Sequence, residues 1–238
     1  MTFEFQPIGI IRSCFKEKFG IPRQPGLVAE ASATLELLPP YNRAEAVRGI
    51  EQFSHLWILF IFHGCLRSKW KPTVRPPRLG GNERIGVFAS RATYRPNPIG
   101  ISPIKLERVE QTANSIVLHL KGVDLLDGTP VVDIKPYIPY VDNISEATAG
   151  FAERPPPRKQ TITFSAAATQ RCIDMSKSHP NLRTMIEQLL QSDPRPAYKG
   201  EEAGRVYGMR LWDFDLQWRV VGDLVEVLAL IDAYAGPS

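Results

Sequence analysis

Four short segments of this 238-residue sequence combine polar side chains with the prolines and glycines that stiffen or turn a chain. They are Pro22-Arg23-Gln24-Pro25-Gly26, Arg75-Pro-Pro-Arg-Leu-Gly-Gly-Asn82, Arg91-Ala-Thr-Tyr-Arg-Pro-Asn-Pro-Ile-Gly100 and Asp124-Leu-Leu-Asp-Gly-Thr-Pro-Val-Val-Asp-Ile-Lys-Pro-Tyr137. Rigid loops rich in hydrogen-bonding groups are poor core material, and preorganisation lowers the ordering cost of binding. Asp133 and Lys135, two residues apart, share one face of an extended segment and set a carboxylate beside an ammonium. A second concentration of chemistry is electrostatic. Between Arg67 and Arg95 stand eight basic residues and one acid, Glu83, which leaves the rest of the chain at −3 although the whole carries +4. Segregated positive charge suits a polyanionic partner; the alternative is a solvated loop whose arginines pair with acids elsewhere.

Other chemistries lack their residues. No GxGxxG follows a strand, no GxxxxGK[ST] loop is present, and no GxSxG elbow or persuasive Cys–His context points to a nucleophile. The four histidines and the cysteines Cys14, Cys65 and Cys172 show no metal-ligand spacing, so no metal is expected. Gly26, Gly100 and Gly128 also read as plain turn residues, and Asp127-Gly128 as an ordinary hairpin turn. His55 and His63 read equally as core histidines, Arg84 as a salt-bridge partner and Trp57 as core.

The elements that must carry these loops are mostly strands. Apolar Ala29, Ala31, Ala33, Leu35 and Leu37 alternate with polar residues, the mark of a half-buried strand. The unbroken run Leu56 to Phe62 predicts a strand buried on both faces. Further strands are expected at 3–12, 84–90, 101–109, 115–121 and 130–135, and Asn42 with Glu45 signals a short capped helix. Short strands between Gly/Pro turns favour a barrel or closed sandwich over alternating β-α units. Glu146 to Gln160 reads as a Pro/Ala linker. Beyond it, Asn181 caps a helix with Leu182, Met185, Ile186, Leu189 and Leu190 on one face, stopped by Asp193-Pro194, and the tail returns to strands. The expectation is a mainly β chain: a β-barrel domain over 1–160 and a small α+β domain over 161–238.

Hydrophobic content of 43% and charged content of 23% suit a soluble globular protein. The longest apolar run is too short to cross a bilayer, so no membrane association is expected. No basic-then-apolar leader opens the sequence, and three dispersed cysteines read as reduced thiols, so a cytoplasmic location is expected.

The four segments, together with Phe53-Ser-His-Leu-Trp57 and Asp193-Pro-Arg-Pro-Ala-Tyr198, resemble the signature stretches of the TsaA-like family, which includes the TrmO tRNA methyltransferases. The resemblance runs from about residue 6 to residue 220. It implies a non-Rossmann β-barrel methyltransferase acting as a homodimer, with S-adenosylmethionine bound near the subunit interface. The implied reaction methylates N6 of N6-threonylcarbamoyladenosine beside the anticodon of threonine tRNA. The implied cofactor loops are Gln24-Pro25-Gly26, His63-Gly64, Arg91 with Ile101, and Leu126 to Pro130 (Leu126, Asp127, Gly128, Thr129, Pro130). Gln24 and loop N–H groups suit the methionine carboxylate, Arg91 can pair with it, and Asp127 suits the ribose hydroxyls or the ammonium. Gly64 stands where the family pattern has a larger polar residue, so contact there falls to backbone.

A threonylcarbamoyl N6 is a urea-type nitrogen that must lose a proton, which calls for a base. Asp133 is the candidate and Tyr137 the reserve, with Lys135 placed to stabilise charge on the urea oxygen. The competing reading makes Asp133 and Lys135 a structural ion pair. The RNA would be held by Lys69, Lys71, Arg75, Arg78, Arg84 and Arg95, with Arg195 on a phosphate or the threonyl carboxylate, and Tyr94 or Tyr198 stacking on an unpaired base. Two rival functions stay open: a methyltransferase with another acceptor, and a non-catalytic RNA- or cofactor-binding module.

Overall fold

A computed structural model describes residues 3–66, 69–155, 160–195 and 204–233. Its first part is a closed barrel of six antiparallel strands: β1 (Gly9–Ser13), β2 (Ser32–Leu37), β3 (His55–Ile61), β6 (Ile99–Gln111), β7 (Ile116–Lys121) and β8 (Pro130–Pro136). Their order around the wall is β1-β2-β7-β6-β3-β8, closed by β8 against β1. Two two-residue strands, β4 (Thr73–Val74) and β5 (Ile85–Gly86), pair with each other inside the long β3–β6 connection. Period-two alternation builds the wall. Ile11, Leu35, Leu56, Ile58, Ile104, Leu118, Leu120 and Val131 are all but fully buried and fill the barrel, while their neighbours turn outward.

The second part pairs β10 (Val206–Leu211), β11 (Phe214–Val221) and β12 (Leu224–Asp232) as a meander, with β9 (Thr161–Phe164) added parallel to β12. A single turn of helix, α1 (Pro139–Asp142), follows the barrel, and α2 (Ala166–Asp174) and α3 (Leu182–Gln191) cover the second sheet. The five apolar residues expected on one face of α3 are all buried. This part packs on the β1–β2 connection. Trp212 N–H donates to Cys14 C=O at 2.9 Å, Arg210 N–H to Glu17 Oε1 at 2.9 Å, and the Trp218 ring stacks on Phe19.

Several elements differ from the sequence reading. β3 is buried on its inner face only; Trp57, Leu59 and Ile61 are half-exposed, because a barrel wall has one inside. Residues 84–90 form two residues of strand and a 3-10 turn, and residues 3–7 precede β1 outside any strand, although Ile8 already exchanges backbone hydrogen bonds with Val131 and Leu38. The capped helix at Asn42 is a 3-10 turn, Ala44–Val47, and the Asn42 side chain instead donates to Asn114 C=O. Asn181 sits at the N-cap of α3, but its amide donates to Glu30. β9 and α2 had no periodic signal; α2 is Ala-rich and is capped by Ser165, whose hydroxyl accepts from Ala168 N–H at 3.0 Å.

Candidate active site

Antiparallel strands bring three connections out at one barrel end: β1–β2, β3–β6 and β7–β8. There Gly26 N–H donates to Gly122 C=O at 2.8 Å, both glycines with positive φ, and a Cβ on Gly122 would come 3.4 Å from Gly26 Cα. Arg91 reaches the same loop, its Nη1 donating to Gln24 Oε1 at 2.6 Å. His63 and Gly64 form a 3-10 turn after β3; Gly64 C=O accepts from Lys18 Nζ, and a Cβ there would lie 2.7 Å from Lys18 Cε and 3.4 Å from Leu126 Cδ2. Residue 64 thus lies where side chains of two other connections, Lys18 and Leu126, meet the β3–β6 connection.

Asp127 anchors the β7–β8 turn. Its Oδ1 accepts from Ser13 N–H at 2.9 Å, its Oδ2 lies 2.8 Å from Lys16 Nζ, and the Asp127 and Gly128 N–H groups donate to Phe15 and Ile11 carbonyls. Thr129 closes the turn onto Leu126 C=O, and Pro130 starts β8 opposite Ile10. Asp124, three residues earlier, is different. Its Oδ1 is buried and has no hydrogen-bond partner among the described residues. Burial pushes its carboxyl up to about 6, against the opposing pull of the Ser102 hydroxyl, its own backbone and Arg91.

The outer wall carries the second group. Register sets Asp133 opposite Leu59, and Leu59 opposite Ile101, in one row across β8, β3 and β6. Asp133 and Lys135 form an ion pair at 2.7 Å. Tyr137 lies further along, just past β8, its N–H on His55 C=O and its ring 5.6 Å from that of Trp57, whose Nε1 donates to Asp142 Oδ2 at 2.9 Å. Ile99 and Ile101 stay 38% and 49% exposed. A cavity of about 560 Å³ opens at the opposite barrel end, between the start of β1 and the Ala44–Gln52 turns, with Asp133 on its rim.

The basic connection is electrostatically open. Among the described residues, Lys69, Lys71, Arg75, Arg78, Arg84, Arg91 and Arg95 form no ion pair. Arg78 donates to Arg154 C=O, and Arg95 Nη1 to Ser90 C=O at 3.1 Å. Among the described residues, no ion pair shows the alternative of internal pairing for Arg84 or its basic neighbours. Tyr94 is 40% exposed. Arg195 is engaged by Asp193 at 2.8 and 2.9 Å, and Tyr198 lies outside the described residues.

Residues 10–143 match the tRNA-methyltransferase O N-terminal domain, and residues 157–233 match the TrmO C-terminal domain. The chain belongs to the TrmO family. It is 51% identical over 230 residues to the Escherichia coli (strain K12) tRNA (adenine(37)-N6)-methyltransferase, covering 96% of this chain and 98% of that one. It is 52% identical to a Pseudomonas aeruginosa protein whose name describes an S-adenosylmethionine-dependent methyltransferase, over 96% of this chain and 97% of that one. A solved TrmO crystal structure superposes with a TM-score of 0.80 at 45% identity, covering 97% of this chain and all of that one.

Within this TrmO-family chain, the loop residues singled out from the sequence converge at one barrel end, and Asp133, Lys135 and Tyr137 lie along the adjoining outer wall. In the sequence, Asp124 only opens the fourth segment and carries no assigned role; its place between the buried Val123 and Leu125 emerges from the fold. Sequence reasoning passed over Ser102 and the exposed rings of Trp70 and Phe88. Gly100 is not a turn residue: it stands inside β6, where a Cβ would meet the Phe60 ring at 2.3 Å.

Proposed function

We propose that this chain is an S-adenosylmethionine-dependent tRNA methyltransferase that modifies N6 of the adenosine next to the anticodon, with N6-threonylcarbamoyladenosine in threonine tRNA as the acceptor. The observation that carries this reading is the near-full-length likeness to the E. coli tRNA (adenine(37)-N6)-methyltransferase, spanning both parts of the chain.

The barrel-end residues fit the cofactor by their donor set. Arg91 and the Gln24 amide suit its carboxylate, the unpartnered Oδ1 of Asp124 suits a donor on it, and Ile101 and Leu126 offer apolar contact. Pro25, Gly26, His63, Gly64, Gly128, Thr129 and Pro130 contribute backbone and shape, while Asp127 holds the turn. When bound, S-adenosylmethionine supplies an activated methyl group for in-line displacement, so the protein's work is alignment. Asp133 takes the N6 proton, Lys135 steadies negative charge on the urea oxygen, and Tyr137 walls the acceptor.

The basic connection holds the anticodon stem-loop through Lys69, Lys71, Arg75, Arg78, Arg84 and Arg95, with Tyr94 beside them. The C-terminal domain, residues 161–238, adds contacts through Arg195 and Tyr198. The apolar outer wall around Ile99 and Ile101 serves a homodimer, and the enzyme works in the cytoplasm. No described helix is long and apolar enough to cross a membrane. The test is incubation with methyl-labelled S-adenosylmethionine and two tRNA pools, with and without threonylcarbamoyladenosine. Label on that nucleoside in the first pool alone is expected. Label in neither pool, despite cofactor binding, would overturn the acceptor, and absence of cofactor binding would overturn the methyltransferase reading.

A further inference from the structure

The connection between β3 and β6 presents two large aromatic side chains to solvent. Trp70 is 53% and Phe88 75% exposed, their ring centroids are 6.5 Å apart, and their planes are tilted by 30°. That separation is near the outer limit of a direct aromatic pair, about 7 Å, so each ring keeps apolar face free for a third. Exposed apolar surface of this size marks a contact site more often than an accident of folding. Lys69 and Lys71 flank Trp70, and Arg84 and Arg91 bracket Phe88; among the described residues none of the four forms an ion pair, and only Arg91 feels a carboxylate, that of Asp124.

Bare aromatic faces on an uncompensated positive surface match single-stranded nucleic acid, whose phosphates meet the cations and whose unpaired bases stack on the rings. A second copy of the chain fits poorly, since a symmetric contact through this surface would set two such basic stretches against each other. The position is also specific. Phe88 precedes Arg91 by three residues, a reach of about 10 Å at most, and Arg91 is hydrogen-bonded to Gln24 at the barrel end. The rings therefore belong to the same connection as Arg91, within a few residues of one of the loops assigned to the cofactor.

We propose that Trp70 and Phe88 form a stacking platform for an unpaired RNA base that neighbours the one being methylated. This rests on the RNA reading above and narrows it: the flanking base is held by its face, so its identity matters less than its being unpaired. Stacking on a ring is sequence-tolerant because every base has a face.

The experiment measures the affinity of Phe88→Ala, Trp70→Ala and Trp70→Phe for an anticodon stem-loop RNA carrying 2-aminopurine beside the target adenosine. Cofactor affinity, thermal midpoint and sedimentation are followed in parallel. The wild type is expected to quench the 2-aminopurine. Each alanine variant should lose most of the quenching and about tenfold or more in RNA affinity, with the salt slope unchanged because no charge is removed, and Trp70→Phe should recover most of both. RNA affinity within about twofold of wild type, or a changed oligomeric state in Phe88→Ala, would overturn the platform. A Lys69→Glu/Lys71→Glu chain separates this from the broader reading. If it loses RNA binding while Phe88→Ala does not, the platform alone falls; if neither loses it, the RNA surface falls with it.

Discussion

Asp124 is a carboxylate placed where its charged form is costly. Its ordinary value of 3.8 rises to about 6, chiefly by burial, so between those values the folded chain binds a proton that the unfolded chain does not. Stability therefore rises as pH falls from about 6 toward 4, and the penalty is complete above 6, on the order of 3 kcal/mol. Asp124→Asn should raise the urea midpoint at pH 7.5, abolish that rise toward acid, and weaken S-adenosylmethionine binding. A variant less stable at pH 7.5 would show that the carboxylate is satisfied after all. Asp133 poses the opposite question, because its ion pair with Lys135 suits either a base or a strut. Asp133→Asn keeps the volume and removes the proton acceptor. We expect kcat to fall by about 100-fold or more with cofactor Kd nearly unchanged; intact kcat with a lowered Tm would make the pair structural.

At the scale of elements, β3 and β6 approach closely because Gly100 leaves room for the Phe60 ring. Gly100→Ala must push that ring aside, at a cost of about 1–3 kcal/mol. Its Tm should fall, and adding Phe60→Leu should restore part of it; an unaltered Tm would mean the strands part easily. Glycine in a strand pattern signals close approach, but the sequence does not say to what. The same limit explains other misses. Strands β2 and β7 are legible because alternation reports one wet face directly. The apolar run of β3 reports two apolar faces without saying what covers the outer one. β9 is four residues long and gains its place only by parallel pairing with β12, a partner some 60 residues away. The loop residues of the site were readable through family likeness rather than periodicity, since loops follow no period. Asp124 escaped because its importance lies in burial, which only the fold creates.

The whole molecule brings the β3 problem to a decision. Trp57, Leu59 and Ile61 face outward beside Ile99 and Ile101, an apolar row that a soluble monomer leaves wet. The row also contains Leu59, the register partner of Asp133, so whatever covers it borders the proposed acceptor position. A second copy of the chain is the occupant expected of the homodimer reading, and it would place one protomer's surface over its partner's methyl-transfer site. Ile99→Asp sets a charge at an exposed strand position, where the folded monomer tolerates it and an apolar interface does not. Sedimentation equilibrium should give the wild type as a dimer and Ile99→Asp as a monomer with unchanged Tm of the monomer fold and reduced turnover. A wild type that sediments at the mass of one chain removes the dimer. A variant that stays dimeric with full turnover moves the interface elsewhere and leaves the apolar row to the RNA. Reduced turnover together with monomerisation ties the two, because a site complete within one chain has no reason to lose activity when its neighbour departs.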